Sequence, residues 1–166
     1  MSQIRKFSFV YDRAEDRLAC DTEAADGATT RLWLTQRFCK GLVAAILPFL
    51  TRSVAAPAQE HQSLVQSWEQ VAAMADFGKT PAVELAPEAS AGLVQAAHLT
   101  PREKGLEIAF EFDGGEQRSI PLAFTEVRQM LSVMHRLHVA AEWPVDQWPA
   151  WISDPAAVAA PTQSVN

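Results

Sequence analysis

The chain has 166 residues, 48% of them hydrophobic and 20% charged, with a formal net charge of −6. This is ordinary globular composition, enough for one domain or two small halves sharing a core, and it excludes a disordered chain. The acidic balance and the lack of a Lys/Arg run argue against a nucleic-acid binder, whose phosphate affinity comes mostly from cations, and the charge is too modest to favour an acidic nucleic-acid mimic.

Ile4 to Tyr11 is β-branched and aromatic with partial alternation and predicts a first strand. The charged turn Asp12 to Arg17 leads to Leu18–Ala24, where Leu18, Cys20, Thr22 and Ala24 share one face. Asp26-Gly27 is a hairpin signal, because both residues tolerate positive φ, and Thr29 to Leu34 returns as a third strand. Thr35 is placed to cap a helix running to about Leu50, with Phe38, Leu42, Val43, Ile46, Phe49 and Leu50 at helical spacing. Pro48 is expected to kink or end it.

A small-residue link, Ser53 to Ala58 with Pro57, precedes a second helix over Gln59–Phe77. Its expected buried stripe is Leu64, Val65, Trp68, Val71, Ala72 and Ala75, and Gly78 stands where a left-handed terminator belongs. Lys79 to Ser90 is a Pro-bearing linker. The strand pattern then returns at Leu93–Leu99, Leu106–Phe112 and Gln117–Phe124, with Asp113-Gly114-Gly115 as a second hairpin turn and Pro121 pointing to an edge or bulge. Thr125 is expected to cap a last helix, whose stripe is Val127, Met130, Leu131, Met134, Leu137 and Ala141.

The two stretches align without a gap at an offset of 88: Leu18 with Leu106, Gly27 with Gly115, Leu34 with Leu122, Leu42 with Met130, Ile46 with Met134. This predicts an α+β fold of two repeated β-β-β-α units, forming antiparallel sheets packed with helices, with an extra helix between the repeats. The expected organisation is a single compact domain over 1–154 (first repeat 3–52, inserted helix 58–78, second repeat 91–142, Trp-rich strap 143–154) and a flexible tail over 155–166. The element order, strands, a helix pair, strands and a closing helix, resembles the head domains of the end-joining scaffold and centriolar cartwheel proteins. The resemblance is one of topology, without a shared motif, and the long coiled-coil tail of those proteins is missing here.

The N-terminus, MSQIRKFSFVYDR, lacks an apolar core and a small-residue cleavage site, so no secretory signal is expected. The longest apolar run, Leu42 to Leu50, falls well short of the roughly 20 residues of a membrane span. The expectation is a soluble, cytoplasmic protein, with Cys20 and Cys39 as reduced core residues.

Few residues invite chemistry. No G-x-G-x-x-G, G-x-x-x-x-G-K-[ST] or G-x-S-x-G occurs, and no cofactor is implied. His135, His138 and Glu142 could share a helical face as a metal half-site, although a polar stripe is the plainer reading. His61 and His98 have no partner in the local sequence. Asp12, Glu15, Asp16, Asp21 and Glu23 crowd the first hairpin, as acid/base pairs can, but outward positions and Arg13 and Arg17 favour a solvated face. Trp143, Trp148 and Trp151 with Pro144 and Pro149 form a stiff aromatic segment, suited to covering the chain's own core or docking on a partner. The first helix, with Leu42, Ile46 and Phe49, is apolar nearly all round, which predicts burial on more than one side and an oligomer interface. Membrane insertion is the weaker rival, for want of a basic face. The functional expectation is a non-enzymatic interaction or assembly protein that contacts a protein partner or itself, as a homodimer. The alternative is a small-molecule or metal-binding enzyme with a cleft between the repeats.

Overall fold

The structure is a computed structural model that describes residues 2–55, 58–75, 77–78 and 80–160. Pro57 of the small-residue link and the last six residues of the predicted tail lie outside the described residues. The element order is β1 (Ser2–Asp12), β2 (Arg17–Ala24), β3 (Thr29–Leu34), α1 (Gln36–Ser53), α2 (Gln62–Ala75), β4 (Ser90–Arg102), β5 (Gly105–Phe112), β6 (Glu116–Ala123), α3 (Phe124–Ala140), α4 (Ala150–Ser153) and α5 (Pro155–Ala159).

The strands close into a barrel in the order β1-β2-β3-β4-β5-β6. The expectation of wholly antiparallel sheets is corrected here. β1-β2-β3 and β4-β5-β6 are antiparallel meanders, but β3 meets β4 in parallel through Thr30–Trp33 against Ser90–Leu93. β6 meets β1 in parallel through Arg118–Ser119 against Ser2–Gln3. Two hairpins return each meander to its starting direction, and the helical crossover from β3 brings β4 in pointing the same way. Closure therefore joins β6 to β1 in parallel as well. It leaves no full-length open edge, the usual site of strand-to-strand aggregation.

Local chemistry accounts for the punctuation. Gly27 has φ +83°, and Asp26 Oδ1 accepts from Ala28 N at 3.0 Å, closing the first hairpin. Thr35 Oγ1 accepts from Phe38 N at 3.1 Å and caps α1. Pro48 does not end α1, which runs on to Ser53. Ala44 and Pro48 are both exposed, so the carbonyl deprived of an N–H partner can turn to water. α3 starts two residues earlier than a Thr125 cap would place it: Ala123 is the cap residue, its N–H donating to Glu126 Oε2 at 2.7 Å. Pro121 lies past the short parallel pairing with β1, where β6 needs no N–H toward β1.

One core unites these elements. β5 alternates Leu106, Ile108, Phe110 and Phe112 inward, and β3 does the same with Leu32 and Leu34. Cys39, Val43, Ile46 and Leu50 of α1 and Val127, Leu131 and Met134 of α3 enter the same cluster. Cys20 and Cys39 are free thiols within it, and burial pushes the Cys39 thiol up to about 12. Residues 155–159, read from sequence as part of the tail, form α5 against α2.

At Gly105 the start of β5 approaches β6 so closely that a Cβ would lie 2.1 Å from the Leu122 carbonyl oxygen, a backbone atom with little room to yield. Gly105→Ala should lower unfolding free energy by about 2 kcal/mol or more in urea denaturation. Ala at exposed Gly41, where a Cβ meets nothing within 4 Å, should be neutral or stabilising in the same assay.

Candidate functional site

The acidic residues singled out for chemistry are engaged in structure. Asp12 Oδ1 accepts from the Ala14 and Glu15 amides at 2.9 and 3.0 Å. Asp21 holds Arg31 through two bonds of 2.7 and 2.8 Å, Glu23 pairs with Arg5, and Glu15 faces Arg17 at 3.7 Å. Asp16 accepts from the Tyr11 hydroxyl at 2.8 Å and the Trp143 indole at 3.0 Å, and those two bonds hold its carboxyl below the usual range. The acidic hairpin is thus a set of turns and braces, one of which fastens the C-terminal strap.

His135, His138 and Glu142 do not converge. His138 is 1% exposed, its Nδ1 lies 2.7 Å from the Met134 carbonyl, and its ring packs edge-to-face on Trp143 and Trp148. His135 packs on Trp148, and Glu142 sits past the helix end, exposed, at φ +58°. His61 is exposed, and exposed His98 faces Glu111 at 3.3 Å. Among the described residues no three His, Cys, Asp or Glu side chains are grouped to hold a metal ion.

Trp143, Trp148 and Trp151 are buried in the chain's own core, as are Leu42 and Ile46; Phe49 is half-buried under the Arg52 guanidinium. Burying each large apolar side chain contributes about 1.5–3 kcal/mol, so three tryptophans supply a gross term comparable to a whole domain's net stability. The strap is an integral part of this fold, and its aromatic faces do not form the surface.

The surface feature that stands out is α2, whose orientation reverses the sequence expectation. The buried residues are Gln66, Ser67, Gln70 and Ala73, while Trp68 is 54% exposed and Val71 45%. The cause is Arg128 on α3, 2% exposed and stacked over the Trp151 ring at 5.4 Å. Its Nη2 donates to Gln66 Oε1 at 2.5 Å, and Gln66 Nε2 in turn donates to the Leu50 carbonyl at 2.9 Å. Gln70 Nε2 donates to the Arg128 carbonyl at 3.0 Å and to Ser132 Oγ at 2.7 Å. Burial lowers the Arg128 pKa, with the Glu69 charge acting the other way. Leaving a buried cation without acceptors costs several kcal/mol, against about 1.5–3 kcal/mol for an exposed large apolar side chain. The amide face therefore wins the interior and Trp68 is turned out. Periodicity shows α2's two faces, but only the long-range position of Arg128 shows which one is buried.

Two clefts flank the parallel seams. One, of about 680 Å³, lies where β1 and β6 part, walled by α3 (Glu126, Gln129, Met130, Val133) and by 80–82. The other, of about 520 Å³, lies between α1 (Phe38, Gly41, Leu42, Ala45) and β4. A cleft between the repeats is part of the alternative expected from sequence, but the walls of these two are not legible there, because they depend on how far each parallel ladder extends. Comparisons with protein-family models, with curated proteins and with solved structures find no match to this chain.

Two measurements test this account. Gln66→Leu removes the closest acceptor of Arg128 and should cost about 1–3 kcal/mol in urea denaturation. His138 titrates lower when folded than its ordinary 6.5, because burial disfavours the cation and His135 adds to this, against the Met134 bond. The unfolded chain then binds the proton first, so this contribution is intact above about pH 6.5 and declines as pH falls below it. The urea midpoint should drop between about pH 7 and pH 5, and His138→Leu should reduce that slope.

Proposed function

We propose that this is a non-enzymatic interaction and assembly protein that associates with itself through the outer face of α2. The carrying observation is the exposed Trp68 and Val71, which continue the stripe of half-buried Leu64 and Val65 and exposed Ala72 and Ala75. Large exposed apolar patches on otherwise polar surfaces mark interaction sites, and tryptophan is enriched among the residues that dominate binding. Charge does not oppose pairing, since Glu69 is the one charged residue within Gln62–Ala75. The interface expected from sequence at Trp143, Trp148, Trp151, Leu42 and Ile46 would require those side chains to leave the core, so the assembly surface is assigned to α2 instead.

Covering the exposed parts of Trp68 and Val71 removes on the order of 150 Å² per copy, ~4 kcal/mol gross. For two copies this is comparable to the rigid-body cost of association, so the homodimer is concentration-dependent rather than obligate. In light scattering the wild-type apparent mass should rise between about 10 μM and 1 mM, and Trp68→Ser with Val71→Ser should abolish the rise without lowering Tm. A constant monomer mass for the wild type would remove this reading.

We also read the chain as a duplicated β-β-β-α unit. β2 and β5 lie at the 88-residue offset, as do the facing pairs Leu18–Leu34 and Leu106–Leu122, and the seam pairs Thr30–Ser90 and Arg118–Ser2 correspond in the same way. Phe38, Gly41, Leu42 and Ala45 of one cleft correspond to Glu126, Gln129, Met130 and Val133 of the other. The first hairpin departs from the offset: Tyr11 faces Leu18, while Pro101 rather than Leu99 faces Leu106, because the β1–β2 turn is longer.

A second reading, small-molecule binding, is favoured by the size of the β1/β6 cleft, which lies between the halves and within the range of ligand pockets.

A further inference from the structure

The β3–β4 ladder stops at Leu93, but β4 runs on to Arg102 with β5 on one side only. Along Gln95–Leu99 its other edge has no strand partner among the described residues, and it looks across a groove at α1. A strand edge presents alternating N–H and C=O groups, which an added strand satisfies. The groove floor is apolar, with Leu42 buried and Phe38, Ala97 and Leu99 half-buried. Its helix wall is low: Gly41 and Ala45 are exposed, and a Cβ on Gly41 would meet nothing within 4 Å. A second backbone can therefore come close.

The related seam shows what such a place accommodates. There Gln129 and Val133 replace Gly41 and Ala45, and the chain's own segment 80–83 lies alongside β1. Lys6 Nζ donates to the Ala82 carbonyl at 3.0 Å, Val83 N donates to Ser8 Oγ at 3.0 Å, and Val83 is buried. The α1/β4 groove has no such cover among the described residues. Its lining holds a single charged residue, the exposed Arg37, which makes no ion pair among the described residues. On a chain of charge −6, this local cation selects a carboxylate.

We propose that the groove between α1 and β4 binds an extended, apolar and acidic polypeptide segment of a partner protein. The segment adds as a strand to the free edge of β4, sets alternate apolar side chains against Phe38, Leu42 and Leu99, and places a carboxylate at Arg37. This site is separate from the α2 face and does not depend on self-association.

The probe is a synthetic peptide copying residues 80–88 of this chain, apolar with two glutamates. The tethered copy holds its own seam at high effective concentration, so added peptide has only the open groove to enter. The full-length chain carrying Trp68→Ser and Val71→Ser is titrated, so that failure of the α2 reading leaves the result interpretable. Expected are saturable amide shifts confined to Gln95–Leu99 and Arg37–Ala45 below about 1 mM peptide. Gly41→Leu, on an exposed helical position and a better helix former, should weaken binding about tenfold or more. Arg37→Glu should weaken it and restore affinity for a peptide with lysine in place of both glutamates. No shifts, shifts centred on α2 or on β1, or binding indifferent to Gly41→Leu overturns the proposal. Loss of wild-type self-association on introducing Gly41→Leu assigns the groove to a second copy and also overturns it.

Discussion

A buried guanidinium whose hydrogen bonds, among the described residues, go to glutamines sets the orientation of the helical side of this molecule. Arg128 sits on α3 beside Val127, under the strap tryptophan Trp151, and must find neutral acceptors there. α2 supplies them from Gln66 and Gln70, and the same amides tie α2 to the end of α1 and to α3. Satisfying one cation thus determines the packing of three helices and the strap. It also decides what the outside looks like, because a helix that turns its amides inward turns its indole outward.

The second constraint is closure. Joining the two three-stranded meanders end to end buries both apolar faces in one core with α1 and α3. Closure with two parallel seams has a geometric consequence. Each seam pairs for only a few residues before its strands part, and each parting is backed by the helix that follows a meander. One parting is walled by the chain's own segment 80–82, while the other meets the small residues Gly41 and Ala45 of α1. The Asp16–Trp143 bond adds a tie of a different kind, since it fastens the far end of the sequence to the first hairpin.

Much of the fold is legible in the residues. The six strands, both Gly-bearing hairpins, the Thr35 cap and the apolar stripes of α1 and α3 follow from local pattern, because alternation and helical spacing are local properties. Less of the candidate site is legible. α2 reads as amphipathic, yet its apolar stripe points the unexpected way, since a buried charge on another helix outweighs the preference of an indole for the interior. The strap tryptophans read equally well as arm or as core until the cavity they fill exists. The clefts have no sequence signal of their own, as they are the gaps left where ladders end.

The sequence by itself determined the elements, their order and the apolar surface each must hide, because these depend on neighbours within a few residues. Only the tertiary structure decided that the sheet closes with parallel seams, that Arg128 draws the glutamines of α2 inward, and that Trp68 and the β4 edge remain outside. Those outcomes balance desolvation, packing and ladder length between residues far apart in the chain, and no local pattern records that balance.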